Sequence, residues 1–275
     1  MDVFNSLWDH LKKKLDHRLI VTFEKVLSTS QIHELGVVLM LVLSCYYSEM
    51  THLNLDQVTM ICHATNFINI GFKIHDLSTD SSSNPEPVKN FKKLIVICGD
   101  LFFSIACRIV SDIGIPSVVG VFSHIIGQTS SLLVESKRSK EQKTEMEGYR
   151  QFIKKRYADI VTLSLSACLR VFNEGDMDIN DEVKNFIIYS INCSCLSHAV
   201  SQMKDRTRVQ GIVPLIDVYH SYPDSTLPGF IISDCQIFFD YYKYKLLKHV
   251  KLNIPNTESL VHVYLNDLDP RNLKI

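Results

Sequence analysis

At 275 residues, 46% apolar and 21% charged, the chain is long enough to bury a substantial core in one large domain or two small ones. Its 29 basic residues almost balance 30 acidic ones, and a net charge of −1 provides no global field to attract nucleic acid. The longest apolar runs, 35–47 and 94–109, fall short of the roughly 18–20 residues a membrane-spanning helix needs, and no basic-then-apolar leader opens the sequence. A cytoplasmic protein with no transmembrane segment is expected.

Residues 3–26 set Val3, Phe4, Leu7, Trp8, Leu11, Leu15 and Leu19 against Lys12, Lys13 and Lys14 at a helical period, which predicts an amphipathic helix. Ser28 or Ser30 can cap the next helix, which over 32–47 is apolar nearly all round and so predicted to be buried. A third helix begins at Asn54 or Asp56, carries Val58, Cys62, Thr65, Ile68 and Phe72, and ends at 77, with His75-Asp76 in its last turn. The polar loop 81–87 leads to a fourth, 90–112, with Gly99-Asp100 at its centre. Glycine there costs about 1 kcal/mol relative to alanine, so close approach of a neighbouring helix is expected to compensate.

Gly114-Ile115-Pro116 stops that helix and starts a fifth, 117–135, with Gly120 and Gly127 seven residues apart on one face. The charged segment 137–147 reads as a helix extension or a surface loop. Helices follow at 149–172, 181–203 and 233–251, with a loop at 221–229, a short helix at 257–266 and a loose tail from 267. The eight cysteines fall mostly in apolar helical patterns without a CxxC, which reads as buried free thiols in a reducing compartment. The pattern is all-α, about ten helices in a single domain spanning 1–275.

The chemistry-bearing stretch is the end of the third helix. Carboxylates at i, i+1 and i+4 can hold Mg²⁺ bridged to a diphosphate, because Mg²⁺ takes one or two carboxylates together with substrate phosphates. Here Asp76 and Asp80 have that spacing, but position 77 is Leu. A second acidic motif from another helix is missing between 140 and 220: Asp205 stands in a basic segment, and Asp176, Asp178 and Asp181 lack helical spacing. Asp240, at the end of Gln236-Ile237-Phe238-Phe239-Asp240, has no paired aspartate. The loop after Asp80 has no arginine, and the first lysines are Lys89, Lys92 and Lys93. His63 and His75 are too far apart for a shared metal, and His124 and His198 read as core histidines.

The order His75-Asp76-x-x-x-Asp80, loop, then Lys92-Lys93-Leu94-Ile95-Val96-Ile97-Cys98-Gly99-Asp100-Leu101-Phe102 resembles the trans-polyprenyl diphosphate synthases. In that family a first aspartate motif precedes a helix whose Gly-Asp matches Gly99-Asp100. The departures (Leu77, no arginine pair, no second motif) are those of its non-catalytic subunits. In length and helix order over roughly 1–172, and most specifically over 75–110, the chain resembles the small-subunit, component I branch of bacterial heterodimeric heptaprenyl diphosphate synthases, which serve menaquinone side-chain synthesis. The auxiliary subunit of eukaryotic long-chain synthases is similar too.

The resemblance implies an isoprenoid-synthase-like bundle and a regulatory or structural subunit that stabilises a catalytic partner and helps set product length. No catalytic residue, metal site or cofactor is then expected in this chain; Mg²⁺ would sit in the partner, and Asp76 and Asp80 would be a degenerate motif. Docking would use helices 91–112 and 116–136, where Ser104, Ala106, Gly120 and Gly127 permit close approach, and the isolated chain could form a homodimer. Ile68 and Phe72, just before Asp76, lie where active relatives line the product tunnel. Two alternatives stand beside this: a divergent Mg²⁺-dependent prenyl or terpene synthase active by itself, and a scaffold with this fold and no lipid role.

Overall fold

The computed structural model describes residues 34–51, 54–77, 87–138, 153–172, 178–204, 227–269 and 271. The predicted helix at 3–26, the loop after Asp80 and the link around Asp205 lie outside them. Among the described residues the fold is all-α, with nine α-helices and no strand.

The apolar run after residue 34 forms α1 (Glu34–Tyr46), and its side chains from Leu35 to Leu43 are buried except on a narrow side at Val37. Its neighbours explain the sequence: α1 packs against three later helices, so it needs apolar residues on most faces. A four-residue helix, α2 (Ser48–Thr51), turns the chain into α3 (Leu55–Leu77), whose bounds match those read from the sequence. Gly36 lets α1 approach α3: its N–H donates to Asn66 Oδ1 at 2.9 Å, and a Cβ there would come within 2.7 Å of the Asn66 amide.

Next, α4 (Pro87–Asp112) runs back along α3. Cys98, Phe102, Ala106 and Val110, four residues apart, are its buried stripe. It starts three residues earlier than the pattern suggested, because Pro87 suits a first turn, where the missing N–H has no intrahelical partner anyway. Gly114 at φ +78° makes the turn into α5 (Pro116–Arg138). A π-helical stretch, Lys154–Ala158, runs directly into α6 (Asp159–Val171), which packs on α5. Asn180 Oδ1 accepts from the Val183 N–H at 2.9 Å and caps α7 (Asp181–Lys204).

The last layer is α8 (Leu227–Asn253) against α7, followed by a 3₁₀ turn at Pro255–Thr257 and α9 (Glu258–Leu268). Two expectations are corrected here. Residues 227–229 belong to α8 rather than to a loop, since Pro228 again occupies a first turn. The chain from 267 is not loose as far as Arg271: Asp269 is buried, takes two hydrogen bonds from the Arg271 guanidinium at 2.8 Å, and lies 3.3 Å from Lys243 Nζ. The Arg271 guanidinium holds the Asp269 carboxyl well below the usual carboxylate range.

Candidate functional site

Two glycines create the α3–α4 crossing that positions the end of α3. A Cβ on Gly71 would lie 2.6 Å from the Phe103 ring and 3.1 Å from the Gly99 carbonyl oxygen. On the other helix, a Cβ on Gly99 would lie 2.5 Å from His75 Nε2. The helices therefore approach so closely that a larger residue at either position would have to displace a ring, and the cost of helical glycine is offset by that packing.

Into this gap the last turn of α3 places His75. Its ring stacks on Phe103, with centroids 5.3 Å apart and planes at 21°, and Nε2 lies 3.2 Å from Asp100 Oδ1. The Asp100 side chain is 65% exposed, so this pair orients the imidazole more than it stabilises the fold. His75, Gly99 and Asp100, singled out separately in the sequence, thus form one contact.

One turn back, Phe72 is buried and meets Phe103 edge-on at 4.8 Å; Ile68 is wholly buried beside it in the same core. The guanidinium of Arg156 closes the other side of Phe72, its central carbon 5.8 Å from that ring's centroid and 5.5 Å from Tyr157's. Arg156 is only 2% exposed. A cation so deep in the bundle is held partly by the negative faces of these rings. Sequence reasoning missed Arg156, Phe103 and Gly71. Only the basic residue inside an apolar helical pattern offered a signal, and it looked like one more lysine-rich surface turn after Lys154-Lys155.

Asp76 belongs to α3, but its side chain, like Asp80 and the side chains of Lys89, Lys92 and Lys93, lies outside the described residues. Among the described residues no three of His, Cys, Asp and Glu gather closely enough to hold a metal. Asp240 is engaged by Arg271 at 3.1 Å. All eight cysteines are free, and only Cys107 is exposed. Burial pushes the Cys62 and Cys235 thiols up to about 12, the opposite of what a nucleophile requires.

The four small residues expected on a docking face divide. Ser104, Gly120 and Gly127 are exposed, and a Cβ on either glycine would meet nothing within 4 Å. Ala106 is corrected: it is wholly buried on the inner stripe of α4 and presents nothing to a partner. His124 is corrected too, because it is exposed on α5 instead of lying in the core. The His198 side chain is outside the described residues. No helix of the described residues is long and apolar enough to cross a membrane.

The crystal structure of octaprenyl pyrophosphate synthase from Helicobacter pylori is similar to this chain with a TM-score of 0.56 at 14% identity, covering 92% of this chain and 96% of that one. Neither a family model nor a curated protein matches the sequence. This similarity over nearly the full length of both chains shows that the chain has an isoprenoid-synthase-like all-α fold.

Proposed function

We propose that the chain is a non-catalytic subunit of a heteromeric long-chain trans-polyprenyl diphosphate synthase of the heptaprenyl type, acting in quinone side-chain synthesis. It stabilises a catalytic subunit and helps set product length. The observation that carries this reading is the poverty of carboxylates on the two helices from which the resemblance would expect a metal cluster. The helix α3 closes on Asp76-Leu77, one aspartate where a pair is needed, and α7 has its acidic residues, Asp181 and Glu182, in its first turn alone. Such a set does not suit Mg²⁺ bridged to a diphosphate. Mg²⁺ and both aspartate motifs then belong to the partner.

The outer faces of α4 and α5 supply the docking surface in this reading. Ile97 is 62% exposed on α4, and Gly120 and Gly127 leave the side of α5 flat. In isolation the same surface supports a homodimer.

An assay with farnesyl and isopentenyl diphosphates and Mg²⁺ tests the reading. It compares this chain alone, a candidate catalytic subunit alone, and the mixture. Activity confined to the mixture is expected, while turnover by this chain alone would overturn the proposal. A shift in product length on Phe72→Ala, measured in the mixture, would place Phe72 on the product's path, and an unchanged length would remove it.

A further inference from the structure

The outer side of α8 carries large residues that no other described residue covers. Ile237 is 61% exposed, Tyr241 46%, Tyr244 60% and Leu252 71%, all within one outward strip of the helix. From Ile237 to Leu252 the strip spans about 22 Å. Its inner counterpart, Cys235, Phe239, Tyr242, Leu246 and Val250, is buried against the rest of the bundle, so the outward position is fixed by packing.

The charge along the C-terminal part of this side has one sign. Residues 241–253 include four lysines and no carboxylate. Lys243 turns inward to Asp269 at 3.3 Å. Lys248 and Lys251 are exposed, and Lys245 lies with its Nζ 5.5 Å from the Tyr241 ring centroid, its stem running along the aromatic surface. Of the carboxylates nearer the start of the helix, Asp234 is half-buried and Asp240 is held by Arg271.

A second copy of α8 is a poor occupant, since it brings these lysines few carboxylates: residues 241–253 have none, and Asp240 is held by Arg271. Tyrosines and apolar residues that project from a helix between lysines match instead the boundary of an anionic bilayer. There the rings enter the headgroup layer and the ammonium groups remain among the phosphates.

We propose that α8 lies flat on an anionic lipid surface, with Tyr241, Tyr244, Ile237 and Leu252 inserted to headgroup depth and Lys245, Lys248 and Lys251 meeting the lipid phosphates. The binding is reversible and peripheral. It is independent of whether the chain has a catalytic partner.

The full chain is floated with vesicles of phosphatidylglycerol and phosphatidylcholine in equal parts, and with phosphatidylcholine alone. Flotation with the first and not with the second is expected. The triple variant K245Q/K248Q/K251Q should lower the partition about 100-fold, at roughly fivefold per lysine near a charged leaflet. Tyr244→Ser with Leu252→Ser should lower it by about tenfold through lost apolar contact. All five positions lie on the outer side of α8, and melting curves of the variants report separately that the fold is kept. In a Trp8→Phe background, the indole emission of the Tyr244→Trp variant should shift to the blue on anionic vesicles. No flotation, flotation indifferent to lipid charge or to the variants, or an indole emission that does not shift overturns the proposal. So does capture of a single-stranded oligonucleotide through the same lysines without vesicle binding.

Discussion

Gly71 and Gly99 lie together at the α3–α4 crossing, whereas Gly120 and Gly127 look outward from α5 into open space. All four interrupt helices, and on intrinsic preference all four cost the same, about 1 kcal/mol each relative to alanine. At the crossing that cost is met inside the chain, by the Phe103 ring and by the stack of His75 on it. On α5 nothing among the described residues meets it. A helix face that keeps glycine without an internal neighbour is consistent with a contact made outside the chain, which is why α5 belongs to the proposed docking surface.

The largest effect expected from this contrast is at Gly71. Alanine there drives its Cβ into Phe103 and against the backbone carbonyl of Gly99, so Gly71→Ala should destabilise by about 2 kcal/mol in urea unfolding. Gly99→Ala should cost less, about 1 kcal/mol, because the ring of His75 can swing away at the expense of its contacts with Asp100 and Phe103. A neutral Gly71→Ala would mean that the crossing is not as tight as the geometry requires.

Helix α7 offers a sharper version of the same test, in which side-chain volume barely changes. It is buried all round from Ser190 to Ser197, and among the described residues Ser190 Oγ and Ser194 Oγ meet no hydrogen-bond partner. Replacing both by alanine removes two stranded hydroxyls without adding an atom to the packing, and should stabilise the chain by about 1 kcal/mol. The opposite signs of Ser→Ala on α7 and Gly→Ala on α3, read from the same unfolding curves, separate polar burial from crowding.

On the open side, Gly120→Ala and Gly127→Ala should each stabilise the isolated chain by about 0.5 kcal/mol or more, through helix propensity and a restricted unfolded state. If α5 docks, the same variants weaken the complex, which pull-down or gel filtration against the catalytic subunit measures. Stabilisation of the chain together with unchanged assembly would remove Gly120 and Gly127 from the interface.

How far the sequence carried these distinctions depends on how local each one is. Helix α3 was legible to within a residue because its apolar positions, a start signal at Asn54 or Asp56 and the polar run after Leu77 all agree. Asp269 and Arg271 were not, since two charged residues near a chain end look solvated until Lys243 and Asp240 are brought beside them from α8. Arg156 failed in the same way: its burial depends on Phe72, more than eighty positions away. The pairing of His75 with Gly99-Asp100 was half legible. The residues stood out singly, but the sequence did not place the imidazole in the space that Gly99 leaves, and it gave no reason to separate Gly71 and Gly99 from Gly120 and Gly127.

A second histidine completes the contrast with the crossing. His249 of α8 has Nδ1 3.2 Å from Asn253 Nδ2 and Nε2 2.7 Å from Tyr46 Oη. An amide NH₂ can only donate, so Nδ1 accepts, and Nε2 carries the hydrogen and donates to the tyrosine. Protonating the ring would set a second N–H against the Asn253 donor. Burial lowers the His249 pKa below its ordinary value of 6.5, against a weaker pull upward from Glu182. As pH falls the unfolded chain takes up this proton first, so the contribution is present in full above pH 6.5 and is lost below it, down to the folded-state value. Melting at about pH 5.5 should therefore lie roughly 2 °C below melting at about pH 7.5, with His249→Gln removing part of the difference. Gly71→Ala and His249→Gln act at separate places, so at about pH 7.5 their shifts in melting point should add in the double variant.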